Sequence, residues 1–294
     1  MAYTAAPYHD EIPNREIFRR IRRRLDGNGL QTDWGLQIDD GHIKASAVLF
    51  LLTLRPPEEG QPAEPCLILN KRSRRVLQPG DLCCPGGGIA SKDRLLSYAL
   101  HWPFSPLQKW PTWKRWKRTS YRSARRLSLL LTTALRESWE EMHLNPFKVA
   151  FMGPLPSQKL VLFRREIFPL VGWVAQRQPL APNWEVERIV HLPLRKLLQE
   201  KHYARYRLSF DTPQGADRRN EEFPCFVHHG RAGKEILWGA TFRITMDFLK
   251  LVFGFDLPDL HQAPVIYRQL DETYLSGSRA HPLRALQKET GKDF

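Results

Sequence analysis

Residues 122–144 constrain the fold of this chain most. Leu127, Leu130, Leu131, Ala134, Leu135, Ser138 and Met142 recur at helical spacing and fall on one face. The segment from about Arg122 therefore reads as an amphipathic helix with a surface to bury. On its flank, Arg136-Glu137-Ser138-Trp139-Glu140-Glu141 sets three carboxylates close together. At 100° per residue, Glu137, Glu140 and Glu141 cover an arc of roughly 100° and share a face. Carboxylates so crowded repel unless something positive sits among them, and hard divalent cations take carboxylate oxygens together with substrate phosphates. Taken alone, the run is more often a solvated acidic helix face, because glutamate is a good helix former. Asn145-Pro146 ends the helix.

A helix with one apolar face needs an apolar partner, and strand-like segments supply it. Lys44–Leu54 and Cys66–Asn70 read as a hairpin whose exposed loop is the Pro/Glu/Gly-rich stretch Arg55–Pro65. Val149–Met152, Val161–Phe163, Phe168–Ala175, Glu187–Val190, Phe223–His228 and Glu235–Trp238 read as further strands. Leu192–Tyr203, with Pro193 in its first turn, and Thr241–Phe253 read as helices. Residues 11–25 read as a basic amphipathic helix, with Ile12, Phe18, Ile21 and Leu25 on its apolar side. Helices and strands alternate irregularly, which predicts an α/β sandwich around a mixed central sheet. The expected organisation is an N-terminal basic extension over 1–30, a single domain over 40–260 and a C-terminal extension over 261–294. The ends, 1–10 and from Gly277, read as frayed and loose.

Charge and cysteine usage narrow the class. Forty-five basic against 31 acidic residues give a net charge of +14, which favours anionic partners without choosing among phosphorylated small molecules, nucleic acid and membrane surfaces. No stretch approaches the roughly 18–20 apolar residues of a membrane span, and Met1–Asp10 lacks the basic-then-apolar layout of a signal peptide. Cys66, Cys83, Cys84 and Cys225 show no metal-ligand spacing and read as small buried hydrophobes in a reducing, cytoplasmic setting. His228 and His229 are neighbours on a strand, so they point to opposite faces and do not form a two-ligand site.

Residues 94–136 stand apart. They carry ten Lys or Arg and no Asp or Glu, with Trp102, Trp110, Trp113 and Trp116 interleaved. Pro103, Pro106 and Pro111 forbid a continuous helix through the first part. Basic residues among aromatics suit nucleic acid, a membrane surface or a lid over an anionic nucleotide. The favoured reading is that the tryptophans pack this insertion, about 94–125, onto the domain while its cations stay in water.

The glutamate run gains meaning from Pro85-Gly86-Gly87-Gly88 upstream. Gly87, then Asp93 after five residues, then Arg136-Glu137-x-x-Glu140-Glu141-x-x-Leu144 resembles the Nudix box, G-x5-E-x7-R-E-U-x-E-E-x-G-U, where U is aliphatic. Three departures stand out. Forty-two residues separate Asp93 from Arg136 where the family has seven. Ser138 replaces an aliphatic, and His143 replaces the glycine that follows the helix. The resemblance implies a Nudix-like α/β/α sandwich and a divalent-metal-dependent hydrolase, using Mg²⁺ or Mn²⁺, that cuts a diphosphate linked to another group.

A narrower resemblance runs from about 45 to 255. Leu69-Asn70-Lys71-Arg72-Ser73 and Gly80-Asp81-Leu82-Cys83-Cys84-Pro85-Gly86-Gly87 are similar to the signature of coenzyme A pyrophosphatases within the Nudix superfamily. Phe168–Gly172, Pro182–Val186 with Leu192–Leu194, and Leu237-Trp238-Gly239-Ala240-Thr241 with Arg243-Ile244 resemble that family's later segments. The implied substrate is coenzyme A or an acyl derivative, giving adenosine 3′,5′-bisphosphate and a 4′-phosphopantetheine. Another nucleoside diphosphate derivative, or a weakly catalytic module binding RNA or membrane through the insertion, are the alternatives.

The resemblance assigns roles residue by residue. Glu137, Glu140 and Glu141 are the metal ligands, with Glu185 a further candidate, and Glu185 or Glu187 a candidate base. Arg136 pairs with Asp93 and ties loop to helix. Gly86, Gly87 and Gly88 let backbone approach phosphate oxygens, and Lys71 and Arg72 are candidates for substrate phosphates.

Overall fold

The computed structural model describes residues 14–28, 44–55, 63–160, 165–174, 178–210, 221–230, 232–270 and 274. Along the chain these form α1 (Asn14–Asn28), β1 (Lys44–Arg55), β2 (Glu64–Arg72), β3 (Leu82–Cys83), β4 (Gly86–Gly88), α2 (Ser91–Leu96), α3 (Trp113–Thr119) and α4 (Tyr121–Met142). Then follow β5 (Val149–Pro154), β6 (Gln158–Leu160), β7 (Arg165–Val174), β8 (Val186–Pro193), α5 (Leu194–Leu197), β9 (Tyr203–Phe210), β10 (Glu221–Gly230), β11 (Gly233–Leu237), α6 (Gly239–Phe253) and β12 (Val265–Leu270).

The main sheet is mixed. Its backbone order is β3-β2-β1-β7-β5, with β4 also on β1, β6 on β7 and β8 on β2. β1 and β7 run parallel, from Lys44 opposite Arg165 to Thr53 opposite Val174; the other pairings are antiparallel. β1 is apolar almost throughout because both of its faces are covered. Ala47, Leu49 and Leu51 join the core under α4, whereas Phe50 and Leu52 join the core under α1 and α6. The result is an α/β/α sandwich, as the irregular alternation of elements predicts. No helix among the described residues is long and apolar enough to cross a membrane.

α4 buries Leu127, Leu130, Leu131, Ala134, Leu135, Ser138 and Met142, the face expected from the sequence. Ser138 fits where an aliphatic is usual because its hydroxyl donates to the Ala134 carbonyl at 2.6 Å, inside the helix's own turn. The helix closes on His143 in the left-handed region, φ +55°, with His143 N–H reaching the Trp139 carbonyl at 2.9 Å, the single bond of the left-handed helix ending.

Three of the four insertion tryptophans pack inward: Trp110, Trp113 and Trp116 are buried in the core beneath α4, and Trp102 is exposed. Trp110 packs edge-on against Trp116 and against Phe151 of β5. Its indole N–H donates to Asp26 Oδ1 at 2.8 Å, and Thr112 donates to the same oxygen at 3.0 Å. The insertion is thereby fastened to α1, which supplies Ile17, Ile21 and Leu25 to the other core.

Several expectations are corrected. The helix predicted over Leu192–Tyr203 is broken up, because Leu192 and Pro193 still pair with Leu67 and Cys66, Leu194–Leu197 form one α-helical turn, Glu200–His202 a separate 3₁₀ turn, and Tyr203 already begins β9. In β9 the alternation of Ala204, Tyr206 and Leu208 inward with Arg205 and Arg207 between them is a period-two signal. One central sheet was expected, but β11-β10-β9-β12 forms a second. Its last strand, β12, lies parallel to β9 within the segment expected to be a C-terminal extension. The strand expected at Val161–Phe163 lies outside the described residues, as do 11–13 of the first helix.

Trp110→Ala is expected to cost about 3–5 kcal/mol of stability in urea denaturation, as for other buried aromatics. Trp110→Phe should recover most of the packing and lack only the Asp26 hydrogen bond, worth about 1 kcal/mol.

Candidate active site

Asp93 and Arg136 meet across the insertion. Asp93 sits in the first turn of α2, wholly buried, where its Oδ2 accepts the Ala90 N–H at 2.8 Å. Arg136, four turns into α4, donates Nε to Asp93 Oδ1 at 2.6 Å and Nη2 to Oδ2 at 3.1 Å. The Thr133 hydroxyl, one turn earlier, adds a third donor at 2.9 Å. Burial opposes the charge on Asp93, but the Arg136, Ala90 and Thr133 donors outweigh it and hold the carboxyl below its usual range. Chiefly through its bond to Asp93, Arg136 is held more firmly protonated than usual.

The same guanidinium orders the glutamates. Nη2 reaches Glu137 Oε1 and Nη1 reaches Glu140 Oε2, both at 2.9 Å, and Nη2 also donates to the Gly88 carbonyl at 3.3 Å. Lys92 of α2 takes the other Glu140 oxygen at 2.8 Å. Partial burial works against the Glu140 charge, yet Lys92 and Arg136 together keep its carboxyl below the ordinary value.

Glu137 and Glu141 are shifted the other way. Glu141 accepts Asn70 Nδ2 at 2.8 Å and the Gly86 N–H at 3.3 Å. Burial nevertheless pushes its carboxyl up to about 8, helped by the charges of Glu137 and Glu185. Burial likewise raises Glu137, with Glu140 and Glu185 adding to it. β4 passes directly beneath this group. A Cβ on Gly87 would lie 2.6 Å from the Glu137 carboxylate, and one on Gly86, at φ +149°, would lie 2.3 Å from the Ala47 carbonyl. Only glycine lets the strand pair with β1 and touch the glutamates at once. A Cβ on Gly88 would meet open space.

Glu185 arrives by a backbone route. The last carbonyls of α4 lack helical partners, and the 181–183 segment fills them: Ala181 N–H donates to Met142 O and Asn183 N–H to Glu141 O. The Asn183 side chain then accepts the Glu185 N–H at 2.8 Å. Glu187 faces away, paired with Lys71 and Arg188.

The expected phosphate ligands divide. Lys71 is held by Glu187 at 3.6 Å and by buried Glu235 at 3.3 Å, and Glu235 also pairs with Arg188. Arg72 donates to the Leu77 carbonyl, and its charge acts on Glu141, so it borders the site. Lys92, Asn70 and Thr133 were not singled out from sequence; a polar Asn70 at the end of the apolar run Cys66–Leu69 is the one signal that could have shown one of them. His228 is buried and His229 exposed, on opposite faces. The cysteines are free, three buried and Cys83 partly so.

The donor set suits a hard cation in kind: carboxylate oxygens only, with Glu185 raising the proton affinity of Glu137 and Glu141, and Glu137 that of Glu141. Among the described residues, no three His, Cys, Asp or Glu side chains converge closely enough to enclose an ion as they stand. Oε2 of Glu137 and Oε1 of Glu141 accept no hydrogen bond from the described residues, whereas both Glu140 oxygens are engaged by Lys92 and Arg136.

No protein-family model matches the chain, and no curated protein matches it. Solved structures with a similar fold include a Nudix hydrolase from Nitrosomonas europaea, 10% identical over 77% of this chain and 80% of its own, with a TM-score of 0.35. A C. elegans Ap4A hydrolase is 11% identical over 53% of this chain and 84% of its own, at 0.31. The NUDIX domain of Shewanella oneidensis NrtR, complexed with ADP ribose, is 14% identical over 57% and 84%, also at 0.31. Likeness of this degree carries no argument about activity.

Removing one partner of the buried pair, in Asp93→Ala or Arg136→Leu, is expected to cost about 3–5 kcal/mol. Because the folded Asp93 value is depressed, its stabilisation is fully present above about pH 4 and is lost as pH falls through the folded value. The deficit of Asp93→Ala should therefore shrink in acid unfolding curves. Glu141 has the opposite sign: its folded value is raised, so stability drains as pH rises from the ordinary carboxylate range towards 8. In EDTA, Glu141→Gln should make that slope shallower in urea titrations between pH 5 and 8, leaving the part that Glu137 contributes.

Proposed function

We propose that this protein is a divalent-metal-dependent pyrophosphatase of Nudix type that hydrolyses coenzyme A or an acyl-coenzyme A. The observation that carries the reading is the convergence of β4, the Asp93–Arg136 pair and Glu137, Glu140, Glu141 and Glu185 across 42 intervening residues. A solvated acidic face would have no reason to bury Glu141, to fix Arg136 on three carboxylates or to require glycine opposite Glu137.

Glu137, Glu140 and Glu141 are the residues that would hold Mg²⁺ or Mn²⁺ in this reading. The bound ion would neutralise phosphate charge and lower the pKa of a bound water. Arg136 keeps Glu137 and Glu140 in register, Asn70 and the Gly86 N–H hold Glu141, and the Gly86–Gly88 backbone lies against the diphosphate. Glu185 accepts the proton of the attacking water; Glu187 is occupied by Lys71 and Arg188. Water adds to phosphorus, the P–O bond of the anhydride breaks, and the two phosphate products leave as anions. Arg72 borders the substrate phosphates.

The second reading is hydrolysis of another nucleoside diphosphate derivative. It is favoured by one observation: Lys71 is neutralised by Glu187 and Glu235, which leaves Arg72 alone for the 3′-phosphate that distinguishes coenzyme A.

The test is hydrolysis by the purified full chain with Mg²⁺ or Mn²⁺ on coenzyme A, acyl-coenzyme A, ADP-ribose and dinucleoside polyphosphates. Turnover fastest on coenzyme A or its thioesters, and lower by about 100-fold or more in Glu140→Gln, is expected; equal turnover by that variant removes the reading. Gly87→Ala should lower kcat about tenfold or more with little change in Tm, because its Cβ displaces only the flexible end of Glu137.

A further inference from the structure

The insertion presents a surface that the candidate site does not use. Within ten residues, Leu95, Tyr98, Trp102 and Phe104 are 75%, 66%, 64% and 78% exposed, and Leu96 is nearly half exposed. Single exposed apolar residues are ordinary; five in one short stretch form a patch that marks a binding surface. Their neighbours Leu100 and Leu107 are buried in the core, so the stretch is anchored from behind and holds its apolar side chains outward.

Cations border the patch. The His101 ring, in the middle of the stretch, packs 6.0 Å from Trp113 of α3, and the Lys117 charge acts on it. α3 therefore lies beside the patch. It buries Trp113 and Trp116 and exposes Lys114, Arg115, Lys117 and Arg118. None of these four pairs with an acidic side chain among the described residues, and residues 94–135 contain no Asp or Glu.

We propose that this face docks on an anionic lipid bilayer. Tryptophan and tyrosine settle at the level of the headgroups, leucine and phenylalanine enter the acyl boundary, and lysine and arginine meet the anionic charge. Nucleic acid is the poorer match. Bases stack on aromatic faces, whereas Leu95 and Leu96 offer none and gain only by leaving water. The proposal does not depend on the hydrolase reading, since no residue of the patch belongs to that site.

The experiment is co-sedimentation of the full chain with phosphatidylcholine vesicles and with vesicles of phosphatidylcholine and phosphatidylserine at about seven to three. Binding to the anionic vesicles, falling with added salt, is expected. Trp102→Ser with Phe104→Ser should lower the partition coefficient about tenfold or more. Lys117→Glu with Arg118→Glu, both at exposed positions, should lower binding to anionic vesicles roughly fivefold or more per charge. Thermal melts of each variant separate loss of docking from loss of fold. Glu140→Gln should bind vesicles as the unaltered chain does, which separates docking from hydrolysis. Absence of vesicle binding, binding indifferent to both variant pairs, or salt-sensitive binding to single-stranded RNA in its place each overturns the proposal.

Discussion

The guanidinium of Arg136 is the point on which the site is built. Buried beside Asp93, it cannot leave without stranding a carboxylate in the core, and it cannot lose Asp93 without being stranded itself. That obligation fixes α2 against α4, although 42 residues lie between the two partners. Once fixed, the remaining N–H groups of Arg136 are aimed at Glu137, Glu140 and the Gly88 carbonyl. One planar fork thus ties together the loop, the helix and the glycine strand.

The electrostatics divide one short stretch of helix into two environments. Glu140 lies on the side of Lys92 and Arg136 and is held ionised. Glu141 lies towards Asn70 and β4, where burial and the neighbouring carboxylates raise its proton affinity. Separated proton affinities on adjacent side chains are characteristic of functional sites. They arise from ordinary causes: one helical step of 100° carries a side chain from a cationic flank into the sheet.

Much of this was legible in the sequence because it rests on periodicity. The buried face of α4, the two-sided apolar run of β1 and the helix Thr241–Phe253 all follow from regular spacing. The Asp93–Arg136 pairing came from resemblance, since no local rule links residues so far apart. The second sheet was harder to see. β9 and β12 pair in parallel from distant parts of the chain, and of β9 only Tyr203 falls in the helix expected over Leu192–Tyr203, the rest of the strand matching no expected element. Lys92, Asn70 and Thr133 escaped notice because each is a common residue whose role is set by its neighbour in space.

The 42 residues between Asp93 and Arg136 start and finish at a single bonded pair, and between those ends they pack tryptophans and the apolar face of α4 into the core. In polymer terms they form a closed ring, shut by an ion pair where other proteins use a disulfide. Lengthening such a ring is inexpensive, about 0.6 kcal/mol for each doubling, provided that its ends stay joined. The geometry at the glutamates is therefore insulated from the length of the ring. A chain built this way can change what it carries on its outside, through substitutions far from any reacting atom, and keep its chemistry intact.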